Sequence, residues 1–183
     1  ALAQASIDAG ARTTLVSGPV NLQAPEHARV VAVESAAEML DQCLQLLPDC
    51  DIFIACAAVA DYRPAAMEEQ KIKKGPEQIS LLLVRNPDIV ATVAASDQRP
   101  FTVGFAAETH ELLAHARDKM SRKGLDMIIA NDVSDRSIGF NSDNNQATVL
   151  WPDGEQTLPL SNKSAMARQI IALIAQRLES RSR

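Results

Sequence analysis

Residues 51–74 read DIFIACAAVADYRPAAMEEQKIKK. The run from Asp51 to Ala57 is apolar and of strand length, then empties into small residues before presenting Asp61 and Arg63. Small side chains at a strand end let backbone amides approach a ligand closely. The basic cluster Lys71, Lys73 and Lys74 follows, within a segment from Arg63 to Gln78 whose prolines, glycine and mixed charges read as a flexible loop. Lysines on such a loop can close over an anion. The stretch therefore points to a phosphorylated ligand, and most simply to a nucleotide.

Outward from this stretch, apolar runs of strand length recur at Thr13–Ser17, Arg29–Val33, Phe101–Phe105 and Asp126–Ala130. They carry little polar alternation, as parallel strands covered on both faces do. Ile79–Val84 reads as a more peripheral strand. Helical segments lie between these runs. Ser35 and Glu38 form a capping box ahead of a helix over Ala36–Leu47. Asn86 is expected to cap a helix that starts at Pro87, and Thr109 to cap Glu111–Lys123. Ser161 or Ser164 opens a final helix with Ile170, Ile171, Leu173, Ile174 and Leu178 on one stripe. Two short strands flank the turn Trp151-Pro152-Asp153-Gly154, either as an antiparallel extension of the sheet or as an arm for dimer contacts. The alternation predicts an α/β chain: a three-layer Rossmann-like fold, with a mostly parallel sheet, helices on both faces and a C-terminal β-hairpin extension.

The 183 residues suit a single domain, residues 1–183. Ala1–Ala9 reads as the second half of a helix closed by Gly10. A helix that runs straight into a strand follows an earlier strand, so an amino-terminal strand and its loop are expected to be missing. No apolar run is long enough to span a membrane. A net charge of −5 disfavours general nucleic-acid binding, which needs a broad basic face. The basic residues are instead local, at Lys71–Lys74 and at Lys119, Arg122 and Lys123. Cys43, Cys50 and Cys56 have no metal-ligand spacing, and Cys56 reads as a packing residue. An odd cysteine count without a secretory signal favours a reducing, cytoplasmic compartment. The three scattered histidines support neither a zinc site nor a histidine-based triad.

In open α/β sheets, ligands bind beyond the carboxyl ends of the strands. Here three such ends, Ala57–Tyr62, Gly104–Thr109 and Ala130–Val133, pass from apolar core through small residues to polar ones. Asp61 suits a ribose hydroxyl or a phosphate-bound cation, or simply the cap of a turn. Lys71 suits a phosphate, or is a surface lysine. Phe105 offers a face to a base, or belongs to the core. Asn86-Pro87-Asp88 precedes helix amides that can bind polar groups. The asparagine-rich run Gly139–Asn145 has the length of a binding loop. Neither a dinucleotide fingerprint nor a Walker A loop is present.

AAVADYRP, KIKK, NPDIV, VGFAAET, the Lys119–Lys123 pair, ANDVS and GFNSDNN stand here in the order and approximate spacing of phosphopantothenate–cysteine ligases. The chain resembles the bacterial, CTP-dependent type, the synthetase half of the bifunctional coenzyme A biosynthesis protein, over almost its whole length. The resemblance implies joining of 4′-phosphopantothenate to L-cysteine through an acyl-cytidylate, with release of CMP and diphosphate and with Mg2+ beside the triphosphate. Matched position by position, it implies a CTP site made by Ala55, Cys56, Ala57, Asp61, Lys71, Pro87, Asp88, Ile89, Val90, Phe105, Lys119 and Lys123. Lys71 and the amide of Ala57 would be the catalytic groups. Cytoplasmic location, a homodimer and a decarboxylase domain fused upstream are implied too. The family's Gly/Ser-rich loop is absent, so part of the phosphopantothenate site is expected to be lacking and the fragment inactive as it stands. No FMN is expected.

Two other readings remain open on the residues alone. A nicotinamide-dependent oxidoreductase would need a glycine fingerprint and a Tyr/Lys pair, and Tyr62 has no lysine four residues later. A regulatory nucleotide-binding module without catalysis is the third.

Overall fold

The computed structural model describes residues 1–66, 70–71, 73, 77–108, 111–132 and 144–181. Ile72 and Lys74 of the basic cluster, the expected cap Thr109, Val133 and residues 139–143 of the asparagine-rich run lie outside the described residues. Helix α1 (Leu2–Asp8) ends at Gly10, whose φ of +85° lets its amide and that of Ala11 turn back onto Ile7 and Ser6. Strands β1 (Thr14–Ser17) and β2 (Arg29–Ala32) follow, then α2 (Ala36–Leu46). The Ser35 hydroxyl accepts the Glu38 amide at 3.2 Å, as the capping box requires. The Glu38 carboxylate reaches one residue further back, to the Glu34 amide at 2.9 Å.

A 3-10 turn (Leu47–Asp49) leads to β3 (Ile52–Ala55), β4 (Tyr62–Pro64) and β5 (Leu83–Arg85). Then come α3 (Ile89–Ala94), β6 (Phe101–Glu108), α4 (Leu112–Lys123) and β7 (Met127–Asp132). The chain closes with β8 (Asn144–Trp151), β9 (Gly154–Asn162) and α5 (Lys163–Arg181). The central sheet has five strands in the order β3-β6-β7-β8-β9. β3, β6 and β7 are parallel; β8 and β9 extend them antiparallel.

Period-2 alternation along β6 and β7 sends side chains to two helix layers. Phe101, Val103, Met127 and Ile129 pack with α5 and with Leu2 of α1. Ala106, Ile128 and Ala130 pack beneath Ala116 and Met120 of α4. Phe53 joins Cys43, Leu47, Ile89 and Val93 under α2 and α3, and Val16 of β1 packs on the same cluster. This cluster joins the β1–β2 pair to the larger sheet.

Several expectations are corrected. The parallel strands do not form one sheet: β1 and β2 make a separate parallel pair. The late hairpin extends the central sheet antiparallel, as one of the two readings had it, but its strands are long rather than short. Trp151 is buried, its ring covered by the Arg177 guanidinium at 3.9 Å. A Cβ on Gly154 would stand 2.8 Å from the Trp151 ring nitrogen, which explains the glycine at that turn. The peripheral strand is shorter than Ile79–Val84, and it pairs with a strand that periodicity did not show, β4. The start of the supposed flexible loop is therefore paired backbone. Asp88, not Asn86, caps α3, and Asn162, not a serine, accepts the Ala165 amide at 2.8 Å in the first turn of α5. Cys56 lies one residue past β3 and is exposed as a residue, although its thiol is drawn out of water.

Candidate functional site at the carboxyl edge of the sheet

Parallel pairing of Ala55 with Gly104, and of Phe105 with Ile129, brings the carboxyl ends of β3, β6 and β7 to one edge. Ala55 ends β3, and Cys56 and Ala57 follow it as exposed backbone. Burial pushes the Cys56 thiol up from its ordinary value, so this sulfur is protonated near neutral pH and is a poor nucleophile.

The wall on the helix side is tied together by charge. Asp88 accepts the Ala91 amide at 3.2 Å. Lys123, nearly buried on the last turn of α4, meets the same carboxylate at 2.8 Å. Partial burial works against the charged carboxylate of Asp88. The Lys123 hydrogen bond and the Ala91 amide together outweigh it and hold this carboxyl below its usual range. One turn before Lys123, the half-buried Lys119 donates to the Phe105 carbonyl at 2.8 Å. Phe105 packs its ring into the core on the α5 side. Ile89 is buried and Val90 partly buried, and Pro87 is half-buried before them.

Asp61 and Lys71 stand differently. Both are exposed. The Asp61 carbonyl accepts the Asn86 amide at 2.8 Å, which sets Asp61 beside Asn86, two residues before the capping Asp88. Contacts thus link Asp61 through Asn86 to Asp88 and Lys123, and Lys119, one turn before Lys123, to the Phe105 backbone. Among the described residues no contact ties Lys71 to them. Asn86, expected as a cap, instead spends its side chain on Ala60 and Arg63. Its partners lie 23 and 26 residues away, so no local signal in the sequence points to them.

Magnesium, which takes oxygen ligands and keeps most of its waters, needs only one or two carboxylates beside the phosphates. The exposed carboxylate of Asp61 fits that demand, whereas Asp88 is committed to Lys123. No cluster of three or more His, Cys, Asp or Glu able to hold a metal ion exists among the described residues. A separate cavity of about 430 Å³ opens beyond β1 and β2, lined by Ser17, Gly18, Pro19, Ala32, Val33, Glu34 and Glu38. None of the expected site residues lines it, and its two glutamates disfavour a triphosphate.

The chain is similar to known proteins over nearly all its length. Residues 1–178 match the family model for the DNA/pantothenate metabolism flavoprotein C-terminal domain. The coenzyme A biosynthesis bifunctional protein CoaBC of Vibrio vulnificus (strain YJ016) is 51% identical over 177 residues, covering 95% of this chain and 44% of that protein. CoaBC of Escherichia coli (strain K12) is 46% identical over 187 residues, covering 100% of this chain and 46% of that protein. The chain thus spans about half the length of the curated relatives it matches. The crystal structure of the C-terminal domain of a CoaBC superposes with a TM-score of 0.81 at 34% identity, over 98% of this chain and 81% of that one. A Cab2 mutant in complex with phosphopantothenate-cysteine shares the fold, with a TM-score of 0.65 at 20% identity over 85% of this chain and 54% of that one. This chain belongs to the DNA/pantothenate metabolism flavoprotein C-terminal domain family.

Proposed function

We propose that this chain is the synthetase part of a coenzyme A biosynthetic protein and joins 4′-phosphopantothenate to L-cysteine at the expense of CTP. A substrate carboxylate oxygen attacks the α-phosphorus of CTP; the bond to the β-phosphate oxygen breaks, and diphosphate leaves. The cysteine amine then attacks the acyl carbon of the resulting cytidylate. An amide forms, CMP departs with the former carboxylate oxygen, and the amine gives up a proton.

The observation that supports this reading is the series of contacts at the carboxyl edge of the sheet, from Asp61 through Asn86 to Asp88 and Lys123, and from Lys119 to the Phe105 carbonyl. Nucleotidyl transfer needs positioning and neutralisation of charge more than covalent help. Lys119 and Lys123 supply fixed positive charge at the nucleotide edge. Pro87, Asp88, Ile89 and Val90 shape its wall, and Phe105 backs it. Ala55, Cys56 and Ala57 leave room for close approach, and the Ala57 amide holds the acyl carbonyl oxygen. Lys71 reaches the α-phosphate as its negative charge shifts. Mg2+, bound by the phosphates and Asp61, would neutralise the triphosphate.

The same reading places the protein in the cytoplasm as a homodimer, with a decarboxylase domain fused upstream in the full-length protein. The names of the relatives support the coenzyme A biosynthetic role, and the share of their length that this chain spans is consistent with a further fused domain. A coupled assay for diphosphate release on the full-length protein tests the reading: release must require CTP and 4′-phosphopantothenate together. Release that ignores 4′-phosphopantothenate, or that ATP supports as well as CTP, overturns it.

A further inference from the structure

Arg63 and Asn86 make no nucleotide contact in the reading above, yet they fasten the carboxyl edge to the segment that carries Lys71. The Asn86 amide donates to the Asp61 carbonyl at 2.8 Å. Its side-chain Nδ2 donates to the Ala60 carbonyl at 2.8 Å, and its Oδ1 accepts from Arg63 Nη1 at 3.0 Å. The same guanidinium nitrogen donates to the Arg85 carbonyl at 3.0 Å. A flipped Asn86 amide would set donor against donor and acceptor against acceptor, so its orientation is fixed by its partners.

The clasp sits at the base of an arm. Tyr62 pairs with Arg85 and Pro64 with Leu83, and the Ala65 amide continues the ladder to the Leu82 carbonyl at 2.9 Å. Every residue of both strands is exposed, so no core holds the arm in place. A two-stranded ribbon is marginal by itself in water. The hydrogen bonds of Arg63 and Asn86 therefore fix where the arm leaves the body. Lys71 lies on the segment that the arm closes, six residues beyond Ala65, so its Cα stays within roughly 20 Å of that residue. At the other end, Asn86 lies two residues from Asp88, which Lys123 grips. A continuous set of bonds thus runs from the fixed wall to the origin of the Lys71 segment.

We propose that Arg63 and Asn86 are positioning residues of the ligase reaction, locking the base of the β4–β5 arm so that Lys71 arrives at the α-phosphate of CTP. This rests on the reading of Lys71 given above. The test uses the full-length protein and the variants Asn86→Ala, Arg63→Ala, Arg63→Lys, Lys71→Gln and the Lys71→Gln/Asn86→Ala pair. Asn86→Ala and Arg63→Ala lower kcat by about 10-fold or more, while KM for CTP moves less than about 3-fold. Because every residue of the two arm strands is exposed, the thermal midpoint stays within about 2 °C of the parent. Arg63→Lys recovers only part of the loss, since a single ammonium cannot copy the planar fork.

The decisive readout is the double-mutant cycle. If the clasp acts through Lys71, Asn86→Ala costs less than about 2-fold once Lys71 is already glutamine. Independent, multiplying losses overturn the proposal, as does a kcat loss that merely follows the folded fraction. A slow Lys71→Gln beside a fully active Asn86→Ala removes the clasp alone. A fully active Lys71→Gln removes the Lys71 reading and the clasp with it.

Discussion

One side of the carboxyl edge is built on packed helices and the other on open backbone. Asp88, Lys119 and Lys123 stand on α3 and α4, with Ile89, Val93, Ala116 and Met120 buried behind them. Their charges are already matched, carboxylate to ammonium and ammonium to carbonyl. Asp61 and Lys71 are both exposed, and Asp61 is held through its carbonyl by the Asn86 amide. A fixed wall can recognise a nucleotide without reorganising, which favours binding. A lysine on exposed chain can meet the charge that develops in the transition state, which favours turnover. The division of labour predicts that substitutions on the two sides fail in different ways.

The largest effect is expected on the open side. Lys71→Gln lowers turnover by about 100-fold with the unfolding midpoint unchanged, because an exposed lysine adds little to stability. Equal turnover would merge the two sides. On the wall, Lys119→Ala raises KM for CTP by about 10-fold, and kcat changes less. It also lowers stability modestly, since the Phe105 carbonyl loses its donor. A kcat loss without a KM change would contradict its assignment to the wall.

A smaller effect belongs to Asp88→Asn. Asparagine still caps a helix, so only the charge pairing with Lys123 is lost, about 0.5–1 kcal/mol at pH 7 in urea unfolding. The sign follows from the lowered carboxyl. Its contribution is present above the ordinary pKa of 3.8 and disappears as pH falls through the folded value. The parent and Asp88→Asn should therefore converge in stability below about pH 3.8, and a gap that widens on acidification would refute the pairing. The last effect is confined to alkaline pH and lies behind the wall at Cys43, whose thiol burial pushes up to about 11. Here the folded value lies above the unfolded 9.0, so stability is complete below pH 9 and falls between 9 and 11. Cys43→Ala should flatten that alkaline decline.

Much of this architecture was legible in the chain. The apolar runs at Phe101–Phe105 and Asp126–Ala130 are strands because short, mostly apolar runs with little polar alternation suit a sheet covered on both faces. Ser35 and Glu38 announce their helix by purely local chemistry. The convergence of strand ends followed from parallel pairing alone. What escaped depends on partners far away in sequence. Asn86 and Asp88 are both good caps, and nothing local decides between them. The contact with Ala60 and Arg63 commits Asn86 elsewhere and leaves the helix to Asp88. β4 is three exposed residues ending in proline, too short for periodicity to register. Separation of β1–β2 from the central sheet is likewise a matter of edges, which side-chain patterns do not encode.

Calorimetric titration of the full-length protein with CTP, ATP and GTP in turn tests most directly whether the carboxyl edge is a cytidine triphosphate site. CTP should bind well above the other two, and Lys119→Ala should weaken its binding. Equal heats and affinities for all three nucleotides, or CTP binding that ignores Lys119, would contradict the assignment.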